Sequence, residues 1–386
     1  MKTLGLVLEL NPPHYGHQYF INQAKQIANC DYTIACMSTS FCMRGIPSCI
    51  DKWEKAKIAL KLGVDYVFEL PSYNYLQSAD YFCRGAIDIL AKLQITDIAF
   101  GVELDNLDKL QKIVDILDSL AFNADLKANL SKGSSYSASA LKALLNQTND
   151  KEIIDNYALP NNTLAIGYLK ALRKYPSINI HLIKRIDNNY FDQELSLTNI
   201  SSATSIRKAI CEKKDYLSNV VNKEYAYLNE RKLEDNLFML LKYRFALQPL
   251  DYFKNIIGVN EGIEVRINKF LKTSNNYNEL VNNIQTKRYS LNHIKRMLVN
   301  IVLDNKRVKE ETYLRLLAFN KQKKQYLKKL DKETKTLIFS SPTEVSSSYL
   351  EYELKASLVY DLIANLNTFA LEYKAPIIID SEEEND

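Results

Sequence analysis

The stretch LGLVLELNPPHYGH, residues 4–17, decides the fold class of this chain. Its first part, Leu4–Glu9, is almost wholly apolar and predicts a β-strand. Two prolines then stiffen a short loop. A helix follows from about Gly16 to Ala28, because apolar residues recur there at three- and four-residue spacing. A strand, a short loop and a helix in this order are typical of the first unit of a parallel α/β sheet.

The same alternation continues outward from this unit. Further strands are predicted at Tyr32–Met37, Asp65–Leu70, Ile95–Val102 and Ile178–Ile183, and further helices at Lys52–Leu62, Ala79–Lys92, Leu107–Leu120 and Ser137–Leu145. Strands that alternate with helices predict a parallel sheet covered on both faces.

Past about Leu217 the apolar spacing becomes helical, except for a short β-like run at Thr336–Ser340 before a last helix near Leu350–Leu366. We therefore predict three parts. Residues 1–215 form an α/β domain, residues 216–330 form a basic helical domain, and residues 331–386 form a C-terminal segment with a short strand, a helix and an acidic, disordered tail.

The loop after the first strand carries the residues that point to chemistry. Ligands of open parallel sheets bind at the carboxyl ends of strands, and a helix that begins near Gly16 would direct its N–H groups at an anion there. His14 and His17 can reach the same phosphate group, whereas the alternative is a pair of structural histidines. The sequence contains neither a Walker-type loop nor a G-x-G-x-x-G pattern, which disfavours P-loop ATPases and dinucleotide dehydrogenases.

Composition excludes several other classes of protein. Six cysteines occur without a C-x-x-C pair and only four histidines are present, which argues against a zinc site and predicts free thiols. No apolar run is long enough for a membrane span and no signal peptide is recognisable, so we expect a cytoplasmic protein. The net charge is only +4, but thirteen Lys and Arg lie between Lys287 and Lys329 against three acidic residues, which favours a polyanion-binding region over a merely solvated helical face.

Several ordered blocks resemble the bacterial tRNA(Met) cytidine acetate ligase family, within the His-x-Gly-His nucleotidyltransferase superfamily of Rossmann-like fold. The resemblance rests on residues 5–17, MSTSFCMRG at 37–45, DYVFELP at 65–71, FGVE at 100–103, LPNNTLA at 159–165 and ISSATSIR at 200–207. This chain departs from the family pattern at Pro13 and Tyr15, where Phe and Asn are usual, and at Thr39-Ser40, where a Gly-Asn pair is usual.

The resemblance implies an enzyme that uses ATP to convert acetate into acetyl-adenylate. The acetyl group would then pass to the wobble cytidine of elongator tRNA(Met), giving N4-acetylcytidine. It implies His14 and His17 as catalytic residues, Mg²⁺ as the companion of ATP, and no metal bound by the protein itself. The implied ATP-binding set is Val7, Leu8, Glu9, Leu10, Asn11, Pro12, Pro13, His14, Tyr15, Gly16, His17, Gln18, Tyr19, Phe20, Gly101, Asn161, Arg185, Ile186, Ser202 and Arg207.

For tRNA, the basic residues Lys287, Arg288, Lys295 and Arg296 form the best candidate patch. Simpler readings remain at three positions: a strand-end glycine at Gly101, a helix cap at Asn161 or its neighbour Asn162, and a helix cap at Ser202. Two other functions also remain open, namely a nucleotidyltransferase that makes a nucleotide cofactor and a non-catalytic RNA-binding protein. The sequence does not fix the oligomeric state and allows a homodimer.

Overall fold

A computed structural model describes residues 1–185, 201–287 and 289–380 of the chain. Its strands belong to one sheet with the order β5-β4-β1-β2-β3-β6-β7, and β8 pairs with β6. The strands are β1 (Thr3–Leu8), β2 (Tyr32–Met37), β3 (Tyr66–Glu69), β4 (Asp97–Val102), β5 (Asn179–Lys184), β6 (Leu314–Asn320), β7 (Ile338–Phe339) and β8 (Ile377–Ile379). β1 to β5 are mutually parallel, which confirms the predicted parallel sheet.

The helices that accompany the first five strands are α1 (Tyr15–Ala28), α2 (Lys52–Lys61), α3 (Ser72–Tyr75), α4 (Ala79–Lys92), α5 (Leu107–Asp118), α6 (Leu120–Ser131), α7 (Tyr136–Gln147), α8 (Lys151–Asn156) and α9 (Pro160–Leu172). They are followed by α10 (Ala203–Glu212), α11 (Glu230–Leu247), α12 (Ile263–Leu271), α13 (Tyr277–Ile284), α14 (Leu291–Leu303), α15 (Gln325–Lys329), α16 (Lys332–Leu337) and α17 (Ser348–Ala364). Within the described ranges no helix is long and apolar enough to cross a membrane.

The sheet separates two apolar layers. In β1 the side chains of Leu4, Leu6 and Leu8 pack with α1 and α2 on one face. The neighbouring strand β2 alternates, so that Ile34 and Cys36 belong to the opposite layer with α4 and α9. Because successive residues of a strand point to opposite faces, this alternation buries the sheet on both sides.

Strand β6 is a feature that the sequence analysis did not predict. It lies inside the stretch assigned to the helical part, yet it pairs antiparallel with β3 through Tyr66–Phe319 and Phe68–Leu316. Strand β8 then pairs with β6. The sheet therefore includes strands from the C-terminal part of the chain, whereas the division at residues 215 and 330 stays a prediction.

A buried ion cluster fastens this added edge to the first half of the chain. Lys52 lies 2.9 Å from a Glu69 oxygen and 2.6 Å from a Glu372 oxygen. Arg315 of β6 contacts the other oxygens of the same carboxylates, at 3.2 Å and 2.7 Å. These four side chains are at most 3% exposed. Removing any one of them would leave the buried cluster with an uncompensated net charge, which is strongly destabilising.

Candidate active site

The His14–His17 loop is held by hydrogen bonds within its own first helical turn. His14 caps α1, and its Nδ1 accepts a bond from the Gly16 N–H at 3.1 Å. The His14 N–H in turn donates to Nδ1 of His17 at 3.2 Å. The two rings lie with their centroids 3.9 Å apart. Since both Nδ1 atoms are acceptors, each neutral ring carries its proton on Nε2 and offers that N–H as a donor.

Burial keeps both rings neutral. The pKa of His14 lies well below its usual 6.5, mainly because of burial, with smaller contributions from the neighbouring His17 ring and from the positive charges of Arg185 and Arg207. The pKa of His17 is lowered to about 3, again by burial first and then by Arg185. The pair therefore supplies two N–H donors at neutral pH, and the positive charge beside them comes from Arg185.

The histidines open into a cavity of about 220 Å³ at the carboxyl ends of β1, β4 and β5. β1 pairs with β2 on one side and with β4 on the other, so this is the point at which the strand order reverses. The cavity is lined by twelve of the residues implied for ATP: Val7, Leu8, Glu9, His14, Gly16, His17, Tyr19, Phe20, Gly101, Asn161, Arg185 and Ser202. A larger, charge-lined cavity of about 360 Å³ between α4 and the start of β6 lies away from the histidines.

The remaining members of the implied set either do not line the cavity or fall outside the described residues. Leu10, Asn11, Pro12, Pro13, Tyr15, Gln18 and Arg207 do not line it, and Ile186 falls in the undescribed range. Both polar atoms of the Asn11 side chain form hydrogen bonds to other residues of the protein. Its Oδ1 accepts from the Cys49 N–H at 2.8 Å and its Nδ2 donates to the Cys42 sulfur at 3.0 Å, so it fixes the loop after β2 against the loop after β1.

Arg207 holds the histidine loop by hydrogen bonds and does not line the cavity. Its Nη1 donates to the Asn11 carbonyl at 2.7 Å, and its Nε donates to Glu230 of α11 at 2.6 Å. A third, longer bond joins Nη2 to the Thr204 hydroxyl at 3.4 Å. Its side chain is only 9% exposed. Arg207 therefore joins the histidine loop to α11, and its contact with ATP stays a prediction.

The geometry separates Asn161 from Asn162. Asn162 is fully buried, and its Oδ1 accepts the backbone N–H groups of Glu103 and Leu104, both at 3.0 Å. Asn161 lines the cavity, and its amide lies between Glu103, which accepts from it at 2.5 Å, and Arg185, whose Nη1 is 3.4 Å from its Oδ1. Asn161 is therefore the one placed to meet a ligand.

Two further implied positions have simple local geometry. Ser202 is the N-cap of α10 and accepts the Ser205 N–H at 3.1 Å, so the cap reading holds, although the residue also lines the cavity. At Gly101 an added Cβ would lie 3.9 Å from the Ile183 carbonyl and 4.0 Å from Arg185, which are ordinary contacts. The protein itself therefore does not require glycine there, and the space beside it is open to a ligand.

The sequence analysis missed six cavity residues: Phe100, Leu164, Tyr168, Ile183, Lys184 and Ser201. Helical spacing would have found two of them, because Leu164 and Tyr168 follow Asn161 by three and seven residues on α9 and so share its face. Phe100 packs against Tyr168 with ring centroids 5.3 Å apart. These rings form the apolar side of the cavity.

The loop between β2 and α2 joins the cavity to α14. The Met43 N–H donates to Glu9 Oε1 at 2.7 Å, and the Met43 carbonyl accepts from Arg296 Nη1 at 2.9 Å. Gly45, with φ +73°, lies so close to α14 that an added Cβ would be 2.2 Å from the backbone nitrogen of Arg296. A glycine is required there both by the backbone conformation and by the close approach.

The implied tRNA-binding residues are divided by the structure. Lys287 is exposed, and Arg288 falls outside the described residues. Lys295 and Arg296 are half-buried; Lys295 pairs with the buried Glu234 at 2.6 Å, and Arg296 bonds to Met43. Their role in binding RNA stays a prediction.

Across residues 1–185, 201–287 and 289–380, no group of three or more His, Cys, Asp or Glu is placed to hold a metal ion.

Comparison with known proteins gives a consistent picture. Residues 1–374 match the model of the HIGH Nucleotidyl Transferase family. The chain is 34% identical to the tRNA(Met) cytidine acetate ligase of Clostridium novyi (strain NT), covering 98% of this chain and 100% of the relative, and 32% identical to the Staphylococcus aureus protein of that name, covering 98% and 99%. Two crystal structures of Thermotoga maritima TmcAL cover 98% of this chain and 100% of theirs: the apo form has a TM-score of 0.88 at 28% identity, and the form bound with alpha-thio ATP has 0.85 at 26%.

Proposed function

Because this chain belongs to the HIGH nucleotidyl transferase family, and within it to the tRNA(Met) cytidine acetate ligases, we propose that it activates acetate with ATP and acetylates the wobble cytidine of elongator tRNA(Met). At the coarser level it is an ATP-using, tRNA-modifying ligase with an α/β nucleotidyltransferase fold. The observation that carries the finer proposal is the pair of imidazoles whose Nε2–H groups open into the cavity at the reversal of strand order.

In the proposed first step an acetate oxygen attacks the α-phosphate of ATP, and pyrophosphate leaves. Such a step needs the reacting groups held in line and the charge on the phosphate oxygens stabilised. His14, His17 and the first turn of α1 offer N–H donors that are fixed before the ligand arrives, which is the arrangement that stabilises developing charge most effectively. Arg185 adds a cation beside them.

We propose that the lining residues of the implied set other than Glu9 contact ATP, whereas Asn11 and Arg207 support the loop that carries the histidines. Mg²⁺ would enter with ATP and be held largely by phosphate oxygens and water, since Mg²⁺ needs only one or two protein carboxylates. Phe100 and Tyr168 provide an apolar wall suited to a planar base.

For tRNA we propose the surface that begins at Lys287 and Arg288. Among the described residues Lys287 is the exposed one of the four candidates, and it marks where the surface begins. Binding through lysine and arginine to phosphates should weaken steeply with added salt. The wobble nucleotide would have to leave the anticodon stack to reach the cavity.

One assay tests the proposal as a whole. The protein is incubated with ATP, labelled acetate and total tRNA, and the tRNA is digested to nucleosides. We expect acetylcytidine in elongator tRNA(Met) alone. His17→Ala should abolish acetate-dependent exchange of pyrophosphate into ATP, whereas Asn22→Ala, an exposed position on the same helix, should not. Exchange driven by nicotinamide mononucleotide or a phosphopantetheine instead of acetate would identify a cofactor-making enzyme, and tRNA retention without ATP turnover would identify a binding protein.

A further inference from the structure

Glu9 is a carboxylate in a cavity that is proposed to receive a triphosphate. It follows β1 directly and lines the cavity. Its Oε1 accepts the Met43 N–H at 2.7 Å and the Ser38 hydroxyl at 3.3 Å. Within the described part of the chain, no donor bonds to its Oε2, and no lysine or arginine forms an ion pair with it. Arg44 and Lys55 interact with it only at longer range. A carboxylate that forms no ion pair adds negative charge where the phosphates of ATP would bind, so its presence in this cavity calls for a chemical reason.

The proposed reaction releases one proton, and it does so in the second step. Acetate enters the first step already as an anion and needs no base. In the second step the N4 amine of cytidine attacks the acetyl carbonyl, an N–C bond forms, and the C–O bond to the phosphate breaks with its electron pair on AMP. The nitrogen must then lose a proton, and a base within hydrogen-bond reach accelerates such a transfer.

The other groups in the cavity are poor acceptors for that proton. Both histidines use Nδ1 to accept backbone N–H groups and already carry a proton on Nε2. Lys184 and Arg185 are cations. The phenol of Tyr168 is held protonated, because burial raises its pKa well above the usual value of 10. Among the described residues that line the cavity, Glu9 is the only carboxylate.

We propose that Glu9 is the general base of acetyl transfer and that its Oε2 takes the N4 proton of cytidine. This inference rests on the proposed function. The two bonds to Oε1 fix the carboxylate and leave Oε2 directed to substrate, which is the arrangement of an oriented base. The charged or titratable groups that face Glu9 are Cys42 and Arg44 of the loop after β2, Lys55 of α2 and Tyr168 of α9.

The test separates the two steps by supplying synthetic acetyl-adenylate to the full chain. Acetylation of tRNA(Met) is measured in a single turnover across pH, and acetate-dependent exchange of pyrophosphate into ATP reports the first step. Glu9→Gln should slow acetyl transfer at least 100-fold, a typical contribution of a positioned base. It should slow exchange much less and should remove the acid limb of the pH–rate profile. Glu9→Asp should recover part of the transfer rate, and Asp105→Asn, an exposed carboxylate, serves as the control.

Two outcomes would overturn the inference. If Glu9→Gln reduces exchange as much as transfer and excess Mg²⁺ restores both, Glu9 is a ligand of the Mg²⁺ that accompanies ATP. If the variant transfers acetyl groups at the wild-type rate with an unchanged pH profile, another acceptor takes the proton. If the wild-type protein itself cannot use acetyl-adenylate, the proposed function fails, and this result is distinct from both. Circular dichroism and binding of an ATP analogue establish that each variant is folded.

Discussion

Replacing Arg207 by methionine should make the histidine loop less ordered without changing any residue that lines the cavity. Methionine keeps much of the length of the side chain but removes the donors to the Asn11 carbonyl and to Glu230. Removing one partner of a buried ion pair costs about 3–5 kcal/mol. Because the two side chains are 9% and 19% exposed, we place the loss near the lower end, at about 3 kcal/mol of unfolding free energy.

Urea unfolding measures this loss, and a double-mutant cycle isolates the pair. Glu230→Gln alone should also destabilise the protein, whereas adding it to Arg207→Met should cost little more, because the charge left unpaired in the first variant is then removed. Arg207→Lys should fall between methionine and wild type, since lysine keeps the charge but not the fork of donors. The affinity for ATP should drop roughly 10-fold in Arg207→Met, which corresponds to about 1.4 kcal/mol for a less ordered loop.

The reasoning would be refuted by one pattern of results. If Arg207→Met unfolds at the wild-type urea concentration while ATP binding is lost altogether, the guanidinium contacts the nucleotide and does not brace the loop. Arg207 would then belong to the ATP-binding set that the family resemblance implies. A loss of stability with only a moderate loss of affinity would support the positioning role.

Gly45→Ala should destabilise the protein by at least about 1–2 kcal/mol from the left-handed backbone alone, and more from the close approach to α14; thermal unfolding checks this, and a wild-type midpoint would contradict it. Asn161→Ala should raise the Kd for ATP with little change in stability, whereas Asn162→Ala should lower the urea midpoint, and the reverse pattern would show that the two roles are exchanged. The pKa of His17 is lowered to about 3 in the folded chain, so the unfolded chain binds more protons below its own pKa of about 6.5; stability should therefore decline as pH falls below that value, and His17→Gln should decline less steeply on the same pH series.

The sequence predicted the five parallel strands and most of the longer helices of the first half, because these carry their own apolar period. It did not predict α3, α6 or α8, which are short or lack a clear apolar face. Helix α4 and strand β2 were predicted to the residue. Strand β6 was missed because its surroundings read as a basic helical surface. In the sequence Arg315 counts among the basic residues that favoured this interpretation. In the structure it is fully buried against Glu69, which is 246 residues away in the chain. Pairing over that distance leaves no local signal.

The candidate site shows the same division between local and distant information. The histidine loop was recognisable because its strand, loop and helix are contiguous in the chain. What the sequence could not indicate is which residues face the cavity and which lie behind it. Asn11 does not line the cavity, because its side chain bonds to Cys42 and Cys49. Arg207 does not line it either, because its side chain bonds to Glu230. Those partners are brought together only by the folded chain.

The buried ion cluster has a consequence for the order in which this protein can be made. A ribosome that has synthesised the first two hundred residues has produced Lys52 and Glu69 but neither Arg315 nor Glu372. At that moment the growing polypeptide would present an uncovered β3 and a lysine whose second counter-ion does not yet exist. We therefore expect the half that holds the histidines to stay incompletely folded, and exposed to proteases and aggregation, during synthesis. It can complete its sheet only when the last seventy or so residues have emerged and β6 and β8 cover the edge of β3.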